Sequence, residues 1–232
     1  MKLQLGANTN IATELDFTFF KTTGKFKHIE NHLVGHIDKI GVYSSGGLDS
    51  TALLCLILSE LKATGQDFPV TCFTITKSDG PTYYATRIIQ KVEEHFGVTV
   101  THVNNMPNDP VPDLSGNIGG NAIQAIKNYA PNMLIYMGIN RMAPDDIKPF
   151  PQTLKIDYGH QKVNSSYISP FLFLHKPQIL DIYYQLGCES LIPYTHTCTV
   201  QEVGACGKCY SCAERKWAFD VLGKIDPGTL PV

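Results

Sequence analysis

Short apolar runs with a strand-like pattern alternate along this chain with stretches whose apolar positions recur every three or four residues. Four runs predict buried strands: 40–43, 70–76, 98–103 and 133–138. Helical periodicity separates them, from Asp49 through Leu61, from Pro81 to Phe96 and over 121–129. Strands separated by helices predict an α/β fold with a doubly wound, mainly parallel sheet. Its ligands should bind at the carboxyl ends of the strands.

The segment between the first predicted strand and the first predicted helix is rich in glycine and hydroxyl groups. The first turn of a helix has unpaired N–H groups and the positive end of the helix dipole, so it attracts phosphate. Two adjacent glycines let the main chain approach such an anion closely. We therefore predict a nucleotide site formed by Val42, Tyr43, Ser44, Ser45, Gly46, Gly47, Leu48, Asp49, Ser50 and Thr51.

Residues 45–50, hereafter the 45–50 loop, lack the Gly-Lys-Ser/Thr ending of a Walker loop. They read Ser-Gly-Gly-Leu-Asp-Ser, which resembles the Ser-Gly-Gly-x-Asp-Ser loop of the PP-loop ATP pyrophosphatases. That resemblance implies ATP binding and release of pyrophosphate. Asp49 is expected to bind Mg²⁺ or to cap its helix. An ordinary glycine turn between strand and helix is the plainer interpretation. Thr74 and Thr76 close the second predicted strand, where this fold commonly receives adenine through backbone contacts.

Four cysteines near the end of the chain have the spacing of a metal site. They are Cys198, Cys206, Cys209 and Cys212, in the pattern C-x7-C-x2-C-x2-C. Four thiolates saturate a tetrahedral zinc ion and leave no open position, so we predict structural zinc. An iron–sulfur cluster would use the same ligands, and spacing alone does not separate the two. His196 could replace one thiolate.

Composition narrows the function classes. The chain has 232 residues, 43% of them hydrophobic, and a formal net charge of −2. The lack of basic excess argues against a polynucleotide substrate. The sequence contains no secretory-type start and no apolar run of membrane-spanning length. We therefore expect a cytoplasmic protein, in which reduced thiols favour metal binding over disulfides. The other cysteines, Cys55, Cys72 and Cys188, are predicted to be core residues.

These features divide the chain into three predicted parts. Residues 1–38 form an N-terminal extension with a possible hairpin over 15–29. Residues 39–175 form the nucleotide-binding α/β domain, and residues 176–232 form a helical C-terminal lobe with the four cysteines. His28, His32 and His36 recur every fourth residue in the extension, and we expect them to face solvent.

The 45–50 loop and the cysteines together resemble the 7-cyano-7-deazaguanine synthases of the queuosine pathway. The matching residues also include Pro170, Lys176, Thr197, Gly207, Arg215 and Phe219, over roughly 40–222. The resemblance implies an AMP-forming, ATP-dependent C–N ligase. Members of this family amidate 7-carboxy-7-deazaguanine with ammonia and dehydrate the amide to a nitrile. A small deazaguanine base and ammonia are the implied partners.

Two middle segments depart from that family. Gly120 stands where arginine is expected, and residues 138–145 replace the usual segment after the fourth strand. The alternative is therefore a divergent relative that adenylates another carboxylate, a tRNA base or a protein terminus. Residues 171–174 could pack in the core or against a second subunit of a homodimer, and the core is preferred.

The expected catalytic residues are Asp49, Ser50, Lys176 and Arg141. Lys176 is predicted to be a mobile cation for phosphate on a loop before the helix 178–186, or else a solvated lysine. Arg141 follows the fourth strand, where it could hold a carboxylate or simply lie at the surface. Arg215 is expected to support the lobe or contact phosphate, and Asn121 to contact substrate or cap its helix.

Overall fold

The computed structural model describes residues 1–17, 39–75, 83–106, 133–143 and 168–230. The chain begins with an antiparallel hairpin of β1 (Lys2–Leu5) and β2 (Thr13–Asp16). A parallel sheet follows, formed by β3 (Lys39–Tyr43), β4 (Val70–Ile75), β5 (Thr101–Met106) and β6 (Met133–Met137). Its spatial order is β5-β4-β3-β6, and Ile168 adds a parallel bridge beside Tyr136.

Four helices lie among the described residues. They are α1 (Leu48–Thr64), α2 (Tyr83–Phe96), α3 (Lys176–Gln185) and α4 (Tyr210–Leu222), and a 3-10 helix covers Glu189–Tyr194. Most of α1 is buried, including the whole run 50–61 except for the partly covered Ser59, because both the sheet and α3 pack against it. No helix in these described ranges is long and apolar enough to cross a membrane.

The order of the strands determines where a ligand can bind. From β3, the connection through α1 leads to β4 on one side, while β6 lies on the other side of β3. The chain therefore diverges at the carboxyl ends of β3 and β6, and such a switch point opens a crevice. The 45–50 loop follows β3 and Arg141 follows β6, so both lie at this crevice.

The predicted α/β class with its parallel sheet is confirmed, with local corrections. The β5 strand begins at Thr101 rather than at 98, because Gly97 ends α2 in the left-handed region at φ 66°. It continues to Met106, beyond the predicted end at residue 103. The α1 helix begins at Leu48 with Gly47 as N-cap, so Asp49 is not its cap. The α3 helix begins at Lys176, two residues earlier than predicted.

Other predictions at the edges of the domain fare differently. The β1–β2 hairpin precedes the predicted one, most of which lies outside the described residues, as do the three histidines, Asn121 and its helix. The hairpin packs on α3, since the Gly6 amide donates to the Asp181 carboxylate at 2.9 Å. Phe171 and Leu174 are buried, in agreement with a core position, whereas Phe173 is 83% exposed.

Candidate functional site

The 45–50 loop is held in shape by its own hydroxyl groups. The Ser45 amide donates to Ser50 Oγ at 3.3 Å, and the two serine hydroxyls also lie 3.3 Å apart. Ser50 and Thr51 both donate to the Gly47 carbonyl, at 3.2 and 2.9 Å. These bonds fix the turn directly before α1, whose N-terminal N–H groups face the crevice end of the sheet.

Gly46 is required by two constraints at once. Its φ of 77° lies in the left-handed region, and a Cβ there would lie 2.6 Å from the Ala85 amide nitrogen. The loop therefore rests directly on the first turn of α2. On its other side, the His196 amide donates to the Gly46 carbonyl at 2.9 Å. The His196 ring stacks on Tyr84, with centroids 4.2 Å apart.

Lys176 lies between two carboxylates at the crevice. Its Nζ is 2.5 Å from Asp49 Oδ2 and 3.1 Å from Glu214 Oε2. Only 3% of the Lys176 side chain is exposed, so the residue is neither mobile nor solvated as the sequence suggested. Burial alone would lower the pKa of Lys176, but Asp49 and Glu214 outweigh it and raise the pKa above its ordinary value. Lys176 is therefore a fixed cation.

Asp49 has one carboxylate oxygen, Oδ1, that makes no hydrogen bond within the described part of the chain. Burial raises its pKa, and Glu214 adds to this, while Lys176 opposes it. Its Oδ1 is buried and has no hydrogen-bond partner among the described residues. An ionised carboxylate oxygen without a donor is costly in such a place. This orphaned oxygen, in the first turn of α1, fits a ligand of a hard divalent cation such as Mg²⁺.

Thr74 and Arg141 lie on either side of the loop. Thr74 is 2% exposed, and its hydroxyl donates to the Ser44 carbonyl at 2.9 Å. The same Oγ1 lies 2.9 Å from His102 Nε2, so the side chain links three neighbouring segments. Arg141 is exposed beyond β6, and its amide donates to the Leu174 carbonyl at 2.8 Å.

The four cysteines form one cluster, as predicted. Their sulfur atoms all lie within 4.8 Å of one another, and the group could hold a metal ion. With metal–sulfur bonds of about 2.3 Å, the sulfurs of a tetrahedral site lie about 3.8 Å apart. The Cys206–Cys212 and Cys209–Cys198 pairs are 3.9 and 4.0 Å apart. The donor set therefore fits a metal without large movement.

Backbone N–H groups outweigh burial at Cys198 and Cys209 and lower the pKa of both thiols, whereas burial and the neighbouring thiols raise the pKa of Cys212 to about 12. The amides of Val200 and Gln201 donate to Cys198, at 3.4 and 3.2 Å. Burial would raise the pKa of Cys209, but backbone N–H groups and neighbouring thiols lower it to about 6. His196 stacks on Tyr84 beside this cluster and is not one of its four ligands.

Arg215 is a structural residue of the C-terminal lobe. Nε and Nη2 donate to the two oxygens of Asp226, each at 2.8 Å. Nη1 donates to Thr195 and Thr197, and Nη2 also donates to the Gly228 carbonyl. All five N–H donors of the guanidinium are therefore used, which leaves none for a phosphate.

Sequence reasoning missed Glu214. It is 6% exposed, and its Oε1 accepts hydrogen bonds of 3.2 Å from both Asn140 and Tyr210. A glutamate inside a helix carries no sequence signal of burial when its cation, Lys176, lies on another helix. The only local hint is the i, i+4 spacing of Tyr210 and Glu214.

Sequence comparison identifies the relatives of this chain. The family described as "Queuosine biosynthesis protein QueC" matches residues 135–223, which include Lys176, Glu214 and the four cysteines. The 7-cyano-7-deazaguanine synthase of Persephonella marina is 26% identical over 217 residues, which cover 79% of this chain and 92% of that protein. The resemblance to these synthases is confirmed.

Two further synthases match over shorter regions. That of Methanosphaerula palustris is 35% identical over 96 residues, covering 40% of this chain and 41% of the relative. That of Nostoc punctiforme is 32% identical over 111 residues, covering 46% and 48%. These two alignments span under half the length of the relatives.

One solved structure that this chain matches in part is the U34-tRNA thiolase NcsA from Methanococcus maripaludis with its [4Fe-4S] cluster. The TM-score is 0.46 at 16% identity, over 82% of this chain and 66% of that one.

Proposed function

As a relative of the 7-cyano-7-deazaguanine synthases, this chain, we propose, converts 7-carboxy-7-deazaguanine and ammonia into the 7-cyano base, or its amide, with consumption of ATP. The observation that carries the proposal is the position of Lys176. It joins the loop-bearing helix α1, through Asp49, to the cysteine-bearing lobe, through Glu214. The two halves of the sequence resemblance therefore meet at one site.

ATP is proposed to bind on the 45–50 loop, with its phosphates at the N-terminus of α1. Val42, Tyr43 and Ser44 lead into the loop, and Leu48, Ser50 and Thr51 form the first turn of the helix. Backbone N–H groups supply most of the contacts in such a site. The proposed adenine position is beside Thr74, at the carboxyl end of β4.

Asp49 is the proposed ligand of Mg²⁺, through the oxygen that has no other partner. When bound, the ion supplies charge compensation for the departing pyrophosphate. Lys176 adds a fixed positive charge at the same place, and Ser50 holds the shape of the loop. The charges of the ion and of Lys176 would both stabilise the negative charge that develops during the reaction. Such electrostatic stabilisation is commonly the largest catalytic contribution.

In the first half-reaction, a carboxylate oxygen of the base attacks the α-phosphorus of ATP. The bond from that phosphorus to the bridging oxygen of pyrophosphate breaks, which gives an acyl adenylate. Ammonia then attacks the acyl carbon, AMP leaves and one proton is lost, so that the amide forms. Alignment of two anions is the main difficulty, and orientation can contribute about 7–11 kcal/mol in favourable cases.

In the second half-reaction, the amide oxygen attacks the α-phosphorus of another ATP and pyrophosphate leaves. Loss of AMP with the former amide oxygen, together with two protons from nitrogen, leaves the nitrile.

Arg141 is proposed to hold the substrate carboxylate, since it is exposed just beyond β6 at the crevice. The proposed substrate is thus a small molecule rather than a polynucleotide, and the proposed setting is the cytoplasm.

The four cysteines are proposed to hold structural zinc. Cys209 immediately precedes α4, so a metal there would fix the start of the helix that carries Glu214 and Arg215. Elemental analysis of the purified protein tests this assignment. We expect about one zinc ion per chain. If the protein contained iron and labile sulfide instead, the cysteines would hold an iron–sulfur cluster rather than zinc.

The test of the function is mass spectrometry of the products after incubation with ATP, Mg²⁺, ammonium and 7-carboxy-7-deazaguanine. We expect AMP, pyrophosphate and the cyano base. AMP with the amide alone would restrict the proposal to the first half-reaction. No conversion of the base by metal-loaded, folded protein that binds ATP would overturn the proposed substrate.

A further inference from the structure

The two carboxylates that hold Lys176 differ in their own surroundings. Glu214 has both oxygens engaged, one by Lys176 at 3.1 Å and the other by Asn140 and Tyr210. Asp49 uses only Oδ2, and its Oδ1 has no partner among the described residues. Glu214 is therefore fixed, while Asp49 retains a free coordination position.

The surroundings of Glu214 are themselves fixed. Tyr210 donates its hydroxyl to Glu214 and accepts a hydrogen bond of 2.9 Å from the Ala143 amide. Asn140 and Ala143 belong to the segment that follows β6, so the carboxylate joins α4 to the sheet at the crevice. Only 6% of the Glu214 side chain is exposed, and water competes little for these bonds.

We propose that Glu214 is a positioning residue that keeps the Lys176 ammonium at the crevice when Asp49 binds the nucleotide-associated cation. An ammonium has three N–H donors, and two of them point at the carboxylates. When Asp49 binds the cation through Oδ1, its charge is shared between the cation and the lysine, so Glu214 becomes the main anchor of the ammonium. The third donor then faces the β- and γ-phosphates. This inference rests on the proposed function, because it requires a nucleotide on the 45–50 loop.

The C-terminal lobe acquires a second role in this arrangement. Glu214 lies two residues after Cys212, on a helix that begins directly after Cys209. The cysteine cluster thus sets the position of the carboxylate that sets the position of Lys176. A lobe that served only stability would not need a buried glutamate with three partners at the nucleotide crevice.

The test compares ligands with and without the outer phosphates. We would measure binding of Mg²⁺ with α,β-methylene-ATP, and of AMP, by isothermal titration to the wild-type chain and to Glu214→Gln. The variant loses the charge that holds Lys176, so the ATP analogue should bind about tenfold more weakly. The affinity for AMP, which lacks the outer phosphates, should fall by less than about twofold.

Two further variants make the test specific. Tyr210→Phe removes one hydrogen-bond donor to Glu214, so it should also weaken binding of the ATP analogue, by about threefold. It also carries the test if Glu214→Gln does not fold. Asp220→Asn neutralises an exposed carboxylate on the same helix and should change neither affinity. Metal content is measured for every variant, because Cys212 is close by.

The outcomes separate the two proposals. Wild-type protein that fails to bind the ATP analogue would overturn the proposed function. Wild-type binding with unchanged affinity in Glu214→Gln and Tyr210→Phe would overturn only the role of Glu214. Equal losses of affinity for the ATP analogue and for AMP, at unchanged metal content, would also overturn the role of Glu214. The effect would then not act through the outer phosphates.

Discussion

The backbone amide of His196 donates a 2.9 Å hydrogen bond to the carbonyl of Gly46. It joins the segment that leads into Cys198 to the 45–50 loop. A second hydrogen bond joins the same segment to α2, on which the loop rests, because the Tyr83 hydroxyl donates to the Glu202 carbonyl at 3.0 Å. The state of the cysteine cluster should therefore affect the loop.

Replacement of Cys209 by serine should lower both metal content and nucleotide affinity. Without the metal, residues 196–209 lose their anchor, and the bond to Gly46 loses its support. We expect less than about one metal ion per two chains, a lower melting temperature and about three- to tenfold weaker ATP binding. Elemental analysis, thermal unfolding and titration check the three effects.

Cys72→Ala is the matched control, since Cys72 is a buried cysteine of β4 outside the cluster. It should retain full metal content. If Cys209→Ser kept all of its metal and its stability, the metal site would be wrong. If it lost metal and still bound ATP with wild-type affinity, the link between His196 and Gly46 would carry no functional coupling.

Alanine at Gly46 should cost more than alanine at Gly65, although both glycines have positive φ. At Gly65 no atom lies within 4 Å of the new Cβ, so only the left-handed strain of about 1–2 kcal/mol applies. At Gly46 the Cβ would also meet the backbone of α2 at 2.6 Å. We expect a larger loss of unfolding free energy and at least about tenfold weaker ATP binding. Equal losses in denaturant titrations would contradict this.

Asp49→Asn should abolish turnover without loss of stability. Burial raises the pKa of Asp49, so the fold penalises its ionised form, and asparagine removes that penalty while Glu214 still pairs with Lys176. We expect AMP formation to fall by about 10²-fold or more, with a melting temperature at or above that of the wild type. Asp67→Asn, an exposed control, should change neither. Retained turnover would exclude Asp49 as the cation ligand.

The parts of the molecule that follow local patterns could be predicted from the sequence. Strand and helix periodicity gave the parallel sheet, and the spacing of the cysteines gave their cluster, because each depends on neighbours along the chain. The β1–β2 hairpin was missed even though Lys2–Leu5 alternates between exposed and buried residues. Four residues are too short a run to stand out.

The environment of Lys176 could not be predicted, because it depends on packing between distant elements. The sequence placed this residue before a helix and suggested a mobile or solvated side chain. Its burial arises because α1 and α4 bring Asp49 and Glu214 to its two sides. Likewise, the sequence left the role of Arg215 open between structure and phosphate, and its contacts with Asp226 and Gly228 decide for structure.

Arg215→Lys should destabilise the C-terminal lobe despite retaining the charge. Lysine cannot reproduce the paired bonds to Asp226 together with those to Thr195 and Gly228. We expect a loss of about 2–3 kcal/mol in unfolding free energy, measured by chemical denaturation. Lys216→Met, which removes an exposed pair with Asp220 on the same helix, should change it by less than about 1 kcal/mol. Similar values for the two variants would contradict this role.

The half-buried His102 makes the 45–50 loop's support sensitive to pH. Its Nε2 lies 2.9 Å from Thr74 Oγ1, and that hydroxyl donates to the Ser44 carbonyl. Burial lowers the pKa of His102 below its ordinary value, while the negative charge of Glu93 opposes this. The folded state therefore takes up a proton at this ring less readily than the unfolded state does.

His102→Gln should accordingly remove one source of acid sensitivity. For a histidine whose pKa is depressed by folding, stability is lost as the pH falls below the unfolded value of about 6.5. Glutamine can still donate to Thr74 but does not titrate. The melting temperature of the wild type should fall more steeply than that of the variant between pH 8 and pH 5, so that any wild-type advantage at pH 8 shrinks in acid. Parallel curves over that range would mean that His102 titrates alike in the folded and unfolded states.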